Sequence, residues 1–177
     1  QCFQEEFQLE NIVGPVIEEA KKWGDFPIIA AGGIWDKNDI DKYLAMGCAG
    51  VQMATRFIGT FECDADAKFK NVLLNSKEED IILMKSPVGL PARGVKTNLQ
   101  FSIENHTAPK VQCISNCVAP CNRGTEAKIV GYCIADRLGA AYNGDVDTGL
   151  FFTGSNGYKI NKIIPVKELM EKLTQGE

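Results

Sequence analysis

Apolar positions along this chain change period several times, and the changes mark its elements. From Leu9 to Trp23, Ile12, Val13, Val16, Ile17 and Ala20 share one face while Glu18, Glu19, Lys21 and Lys22 lie elsewhere, which predicts an amphipathic helix. Pro15 falls early enough to be tolerated, and Gly24-Asp25 ends the helix. The run Phe26-Pro27-Ile28-Ile29-Ala30-Ala31 has the length of one strand and no polar alternation, so it predicts a strand covered on both faces, as in a parallel sheet. It stops at Gly32-Gly33. Helical spacing returns between Asp36 and Met46 through Ile40, Tyr43 and Leu44, with Asp36 as N-cap and Gly47 at C′. A second strand follows in the run from Gly47 to Phe57, ending near Gln52 to Thr55, where a short helix begins. The whole is a strand, helix, strand unit.

Downstream, Asp64 to Leu74 predicts a helix capped by Asp64, and Ile81-Ile82-Leu83-Met84 a short strand. Ser86 to Gly94 is loop chemistry, since two prolines and two glycines in nine residues forbid helix and limit ladder pairing. Ile129, Val130, Cys133, Ile134, Leu138 and Ala141 predict one helix over Thr125 to Tyr142, stopped by Asn143-Gly144-Asp145. Gly149 to Phe152 and Gly154 to Gly157 are turn-rich, and Pro165 opens a closing amphipathic helix over Val166 to Leu173.

The chemistry sits at the ends of the two early strands. Gly32-Gly33 lacks Cβ atoms, so the backbone there can take positive φ and come close to a ligand, letting amide N–H groups converge on a phosphate. Gln52 to Thr55, opening a helix, is a second source of N–H donors. Each bend alone reads equally as turn punctuation or a capped helix start. Together, on neighbouring strands, they match the phosphate site formed after the last two strands of a (β/α)8 barrel.

Ala30-Ala31-Gly32-Gly33-Ile34 followed by Gly50-Val51-Gln52-Met53-Ala54-Thr55-Arg56-Phe57 resembles the flavin-phosphate half of the nitronate monooxygenase family, formerly 2-nitropropane dioxygenases. Further matches are Glu62-Cys63-Asp64-Ala65, Glu78-Glu79-Asp80-Ile81, Lys85 to Arg93, Tyr132 to Ala135 and Gly149 to Asn156, so the resemblance runs over essentially the whole chain. It implies an α/β fold: residues 1–62 as the last strand-helix units of a TIM (β/α)8 barrel, residues 63–177 as a mostly helical, loop-rich extension. It further implies FMN as cofactor, its phosphate held by Gly32, Gly33, Gln52, Met53, Ala54 and Thr55, and oxidation of a nitronate as the activity. Flavin-dependent enoyl-acyl-carrier-protein reductases share this architecture, and a non-catalytic phosphate-binding piece is a third reading. Ala54 departs from the glycine common in the family, which is tolerable if its φ is negative. Arg56 is either a phosphate partner or a structural ion-pair partner. The loop over Ser86 to Gly94 is either a surface connection or a cover near the flavin, and Gly154-Ser155-Asn156 either a tight turn or part of the flavin entrance. The family's histidine beside the flavin ring belongs to a glycine-rich segment upstream of Gln1. His106, the sole histidine here, lies in the polar stretch Glu104-Asn105-His106-Thr107 and does not match it, so no catalytic residue is assigned.

Length changes this picture. At 177 residues the chain is shorter than the roughly 250 of a complete barrel, so it is expected to be a C-terminal portion whose barrel strands pair with a missing N-terminal part or a second copy. A formal net charge of −4, with scattered lysines and arginines, argues against nucleic acid as a partner. No apolar run approaches the roughly 18 to 20 residues that span a bilayer. Seven cysteines without an export signal fit a reducing cytoplasm better than a disulfide framework. Cys2, Cys48 and Cys63 read as isolated thiols, whereas Cys113, Cys117, Cys121 and Cys133 could be clustered thiols or soft metal ligands, at spacings that match no common zinc or iron-sulfur pattern.

Overall fold

Residues 8–114, 117, 121 and 125–176 are described by the structure, a computed structural model. Cys2 and Pro120 lie outside them. Two compact units emerge: Gln1–Glu62 with Ile164–Glu177, and Cys63–Ile163.

In the first unit, helix α1 (Leu9–Lys21) turns Val13 and Ile17 into a core shared with Ala30, Ile34, Tyr43 and Cys48. Val16, expected on that face, is instead about half exposed. Strands β1 (Ile29–Ala31) and β2 (Gly50–Gln52) pair in parallel, joined by helix α2 (Lys37–Ala45). Asp36 caps α2 by accepting the Asp39 N–H at 3.0 Å, and the Asp39 carboxylate accepts the Trp35 N–H at 2.7 Å. At the other end Gly47, at φ 100°, donates to Leu44 O and Cys48 donates to Tyr43 O, the paired bonds of a Schellman stop. The expectation that β1 is covered on both faces is wrong for this chain. Ala30 is buried at 1%, but Ile29 is 52% exposed, because the helices cover the Ala30 face alone.

Residues 164–177, assigned from sequence to the extension, group with the first unit. Helix α8 (Val166–Gln175) packs Leu169 and Leu173, with Ile164, against Ile40, Met53 and Phe57. Pro165 stands at the N-cap position, and the first helical N–H, on Val166, donates to both Glu62 carboxylate oxygens at 2.9 and 3.0 Å. That carboxylate satisfies a donor that no residue within the helix can.

In the second unit, helix α4 (Ala67–Leu74) is capped by Asp66, which accepts the Lys68 N–H at 2.7 Å, two residues later than the Asp64 expected. Strand β3 (Ile81–Met84) pairs antiparallel with β4 (Ala92–Val95), Met84 opposite Ala92 and Ile81 opposite Val95. The predicted loop therefore ends at Pro91, the last residue without an N–H to give the ladder. Helix α5 (Asn98–Glu104), not predicted, is short and begins with a Thr97–Gln100 capping box. The single helix expected over Thr125 to Tyr142 is two, α6 (Thr125–Val130) and α7 (Ile134–Tyr142). Gly131 breaks it at φ 98°, a value that ends helical continuation while its N–H still bonds Ala127 O at 2.8 Å. Leu99, Tyr132 and Leu150 form the core beneath these helices, and the Phe151 ring packs tilted by 56° against Phe69 at 4.9 Å between centroids. Among the described residues no helix is long and apolar enough to cross a membrane.

Tyr132 gives this unit an alkaline limit. Its hydroxyl is buried and donates to Lys85 O at 2.5 Å, and burial pushes its pKa from 10 up to about 12. Unfolded, the phenol ionises near its ordinary value of about 10. The neutral form thus stabilises the fold fully below pH 10, and that contribution is lost as pH rises towards 12. Urea titrations from pH 9 to 11.5 are expected to show stability falling in the wild type. In Tyr132→Phe the alkaline slope should be smaller, from a starting stability lower by about 1 kcal/mol for the lost hydrogen bond. Equal slopes in the two proteins would contradict this.

Candidate functional site

The parallel register is what assembles the site. Ile29 pairs with Gly50, Ala30 with Val51 and Ala31 with Gln52, so both strands end level. Gly32-Gly33 leaves β1 and Met53-Ala54 leaves β2 at the same edge of the sheet. Gly32 has φ 116° and Gly33 φ 71°, values that an L side chain rarely takes, which is why the bend needs two glycines. A Cβ on Gly32 would meet nothing within 4 Å, so space over this bend is open. The requirement is conformational, not steric. On the second bend, Ala54 has φ −129°, so its methyl is compatible with the backbone. Thr55 opens α3 (Thr55–Ile58), a single turn. Gln52 and Ala54 are exposed, Met53 and Thr55 half-buried. All six residues singled out from sequence thus lie in or directly beside the two bends at one end of the sheet.

Arg56 makes contacts that the sequence did not signal. Its Nη1 donates to Trp35 O at 2.8 Å, and its guanidinium carbon lies 4.8 Å from the centroid of the Trp35 ring. Trp35 follows the glycine bend by two residues and Arg56 follows the second bend directly, so the pair bridges them. A tryptophan beside a helix cap carries no pattern that would have revealed this.

Beside the bends an open apolar groove of about 560 Å³ runs between α2 and α8, with Val51, Met53 and Phe57 among its lining residues and Lys37 and Asp41 at its polar side. The groove and the exposed Ile29 face are what a two-stranded sheet leaves uncovered.

His106 is exposed and sits at φ 56° just after α5, in the second unit. Cys121 and Cys133 are buried around Ala127, with Cys117 packed against them, while Cys113 is exposed. Among the described residues no three His, Cys, Asp or Glu side chains are grouped to hold a metal ion. The groups with perturbed ionisation are other residues than the six at the bends. Asp145, for example, is held below the ordinary carboxylate range by the Thr148 hydroxyl and backbone N–H that it accepts, with a smaller contribution from the Asp147 N–H.

Residues 2–176 match the family model for nitronate monooxygenase. The chain belongs to the nitronate monooxygenase family. Nitronate monooxygenase-family relatives include a probable nitronate monooxygenase of Staphylococcus saprophyticus, 36% identical over 72 residues, covering 41% of this chain and 20% of that protein. One of Staphylococcus aureus is 38% identical over 69 residues, covering 39% of this chain and 19% of the relative. Among solved structures, FabK from Thermotoga maritima aligns with a TM-score of 0.68 at 24% identity, over 93% of this chain and 48% of that one. A nitroalkane oxidase from Streptomyces ansochromogenes aligns with a TM-score of 0.63 at 22% identity, over 93% and 43%. At such identities the likeness speaks to the fold, which is α/β. The chain spans about half the length of these solved structures and a fifth of the curated relatives is matched.

Proposed function

We propose that this chain supplies the phosphate-holding end of an FMN-dependent oxidoreductase that oxidises alkyl nitronates, within a (β/α)8 barrel whose other strands lie outside it. The observation that carries this is the level ending of β1 and β2, which brings a positive-φ diglycine and a helix-opening bend to one open edge. An FMN phosphate fits there because its charge needs N–H donors and approach to the backbone, and Gly32 leaves that approach clear. Gly32, Gly33, Gln52, Met53, Ala54 and Thr55 would hold it. When bound, the flavin supplies the redox chemistry with nitronate and oxygen. The residues of this chain bind and orient; none is assigned a proton transfer, and His106 is given no role.

The partner consistent with this proposal is the rest of the barrel. Among the described residues β2 pairs with β1 alone, and Trp23, Phe26 and Ile29 are exposed at 77%, 60% and 52%. Covering such side chains is worth roughly 1.5–3 kcal/mol each, a strong drive towards added strands, whether from an N-terminal portion or a second copy.

The test is the visible spectrum of the purified protein, followed by oxygen uptake with a nitronate. A flavin band with nitronate-dependent uptake is the expected result. A flavin band with NAD(P)H oxidation by an enoyl thioester, and no nitronate turnover, would select the enoyl reductase instead. A colourless protein that takes up no added FMN would leave a non-catalytic piece.

A further inference from the structure

We infer that Arg56 is a positioning residue that locks the two phosphate bends together through Trp35, and so sets the preference for a phosphorylated flavin. The inference rests on the phosphate site proposed above and goes beyond it by naming what holds that site in shape. Each bend is short and fixed at its far side. Gly32-Gly33 lies between Ala31, laddered to β2, and a clamped pair: Ile34, buried at 8%, and Trp35, whose N–H is held by Asp39 at 2.7 Å. Met53-Ala54 lies between Gln52, laddered to β1, and α3. The ladder joins the bends on their strand side alone.

Arg56 joins them on the other side. It donates to Trp35 O across 21 residues of sequence at 2.8 Å and covers the Trp35 ring at 4.8 Å. Both residues are half-buried, so the contact is partly shielded from water, where a charge-assisted hydrogen bond and a cation–π contact are strongest. With that bond made, the bends form a closed frame: ladder, diglycine, Trp35, Arg56, α3, ladder. Without it the bends lose this tie on their far side, and N–H donors meant for one anion converge less closely. Lysine cannot replace the arginine, since it lacks the planar group that stacks on the ring while donating to the carbonyl.

The experiment measures dissociation constants of the purified protein for FMN and for riboflavin, which lacks the phosphate, by quenching of flavin fluorescence. The proteins compared are wild type, Arg56→Ala, Arg56→Lys, Trp35→Ala and the Arg56→Ala/Trp35→Ala double variant, each with its circular dichroism melt. FMN affinity is expected to fall about tenfold in Arg56→Ala, which loses both the hydrogen bond and the ring contact, and about threefold in Trp35→Ala, which loses the ring contact and keeps the carbonyl. Riboflavin affinity should stay within about twofold, and the double variant should be no worse than the worse single, as expected of one shared contact. Arg56→Lys should behave like Arg56→Ala. If instead Trp35→Ala is silent and Arg56→Lys retains FMN affinity in a salt-sensitive way, Arg56 acts on the phosphate by charge and the inference is overturned. Additive losses, or equal losses of FMN and riboflavin, overturn it as well. Wild-type protein that binds both flavins with no preference removes the phosphate-site reading itself. Should an alanine variant fail to fold, Trp35→Phe keeps a smaller ring over which the guanidinium stacks less well, and an FMN-selective loss of about twofold is then expected; no loss overturns the inference.

Discussion

Gly32→Val is expected to abolish the proposed flavin binding while leaving the protein folded. Gly32 sits at φ 116°, where a β-branched residue is strained by roughly 1–3 kcal/mol, and open space around it means that no clash opposes the new side chain. The chain therefore relieves the strain by rotating the bend, not by disrupting the core. Rotation takes the backbone at Gly32-Gly33 out of register with Ala54-Thr55, and the valine methyls fill the space an anion would use. Together these should weaken FMN binding by at least about thirtyfold, roughly 2 kcal/mol. Riboflavin binding should fall much less. The control is Gly14→Ala in α1, where a Cβ also meets nothing within 4 Å and φ is not positive; it should bind FMN as the wild type does. Comparable FMN affinity in Gly32→Val and Gly14→Ala, measured by fluorescence titration, would remove the glycine bend from the site.

How far the sequence revealed the fold depended on how local the deciding forces were. Asp36, Gly47 and the diglycine act within a few residues, so the boundaries of α2 and the bend after β1 could be read directly. Parallel pairing followed from the apolar runs, although the exposed Ile29 face did not, because burial depends on what packs above a strand and not on the strand's own composition. The break at Gly131 was hidden by apolar spacing that continues in phase across it, through Val130, Cys133 and Ile134, so periodicity outvoted one glycine. Asp64 and Asp66 both suit a cap, and only the backbone at Asp66 decides between them. The return of α8 to the first unit rests on contacts with no sequence signature, the packing of Leu169 and Leu173 against Ile40, Met53 and Phe57 and the capping of Val166 by Glu62 across 104 residues. The same is true of the Arg56–Trp35 bridge. Bends came from sequence; what fixes them to each other is tertiary.

Two glycines of the second unit are expected to respond to the same substitution with opposite sign, and the contrast isolates packing from backbone conformation. Gly149 is not at positive φ, yet a Cβ there would lie 2.4 Å from Asp145 O and 2.8 Å from Ala141 Cα, both main-chain atoms, and 2.9 Å from the Phe151 ring. None of these can swing aside. Asp145 O already accepts the Gly149 N–H at 3.0 Å, its carboxylate holds the Asp147 and Thr148 N–H groups, and Leu150, fully buried, is tied to Arg137 O at 2.9 Å. Gly149→Ala must therefore push the α7 turn away from Leu150-Phe151, and overpacking of this kind costs about 3 kcal/mol. For a unit of this size the melting temperature should drop by roughly 10–20 °C. Gly139 lies inside α7 with nothing within 4 Å of an added Cβ. There alanine lowers the backbone entropy lost on folding, so Gly139→Ala should gain about 0.5–1 kcal/mol and raise the melting temperature by a few degrees. Melts of the two variants beside the wild type decide the matter. A Gly149→Ala protein that melts with the wild type would mean that the Asp145 turn and Phe151 are not packed as described, and a destabilised Gly139→Ala would mean that α7 is not open on that face.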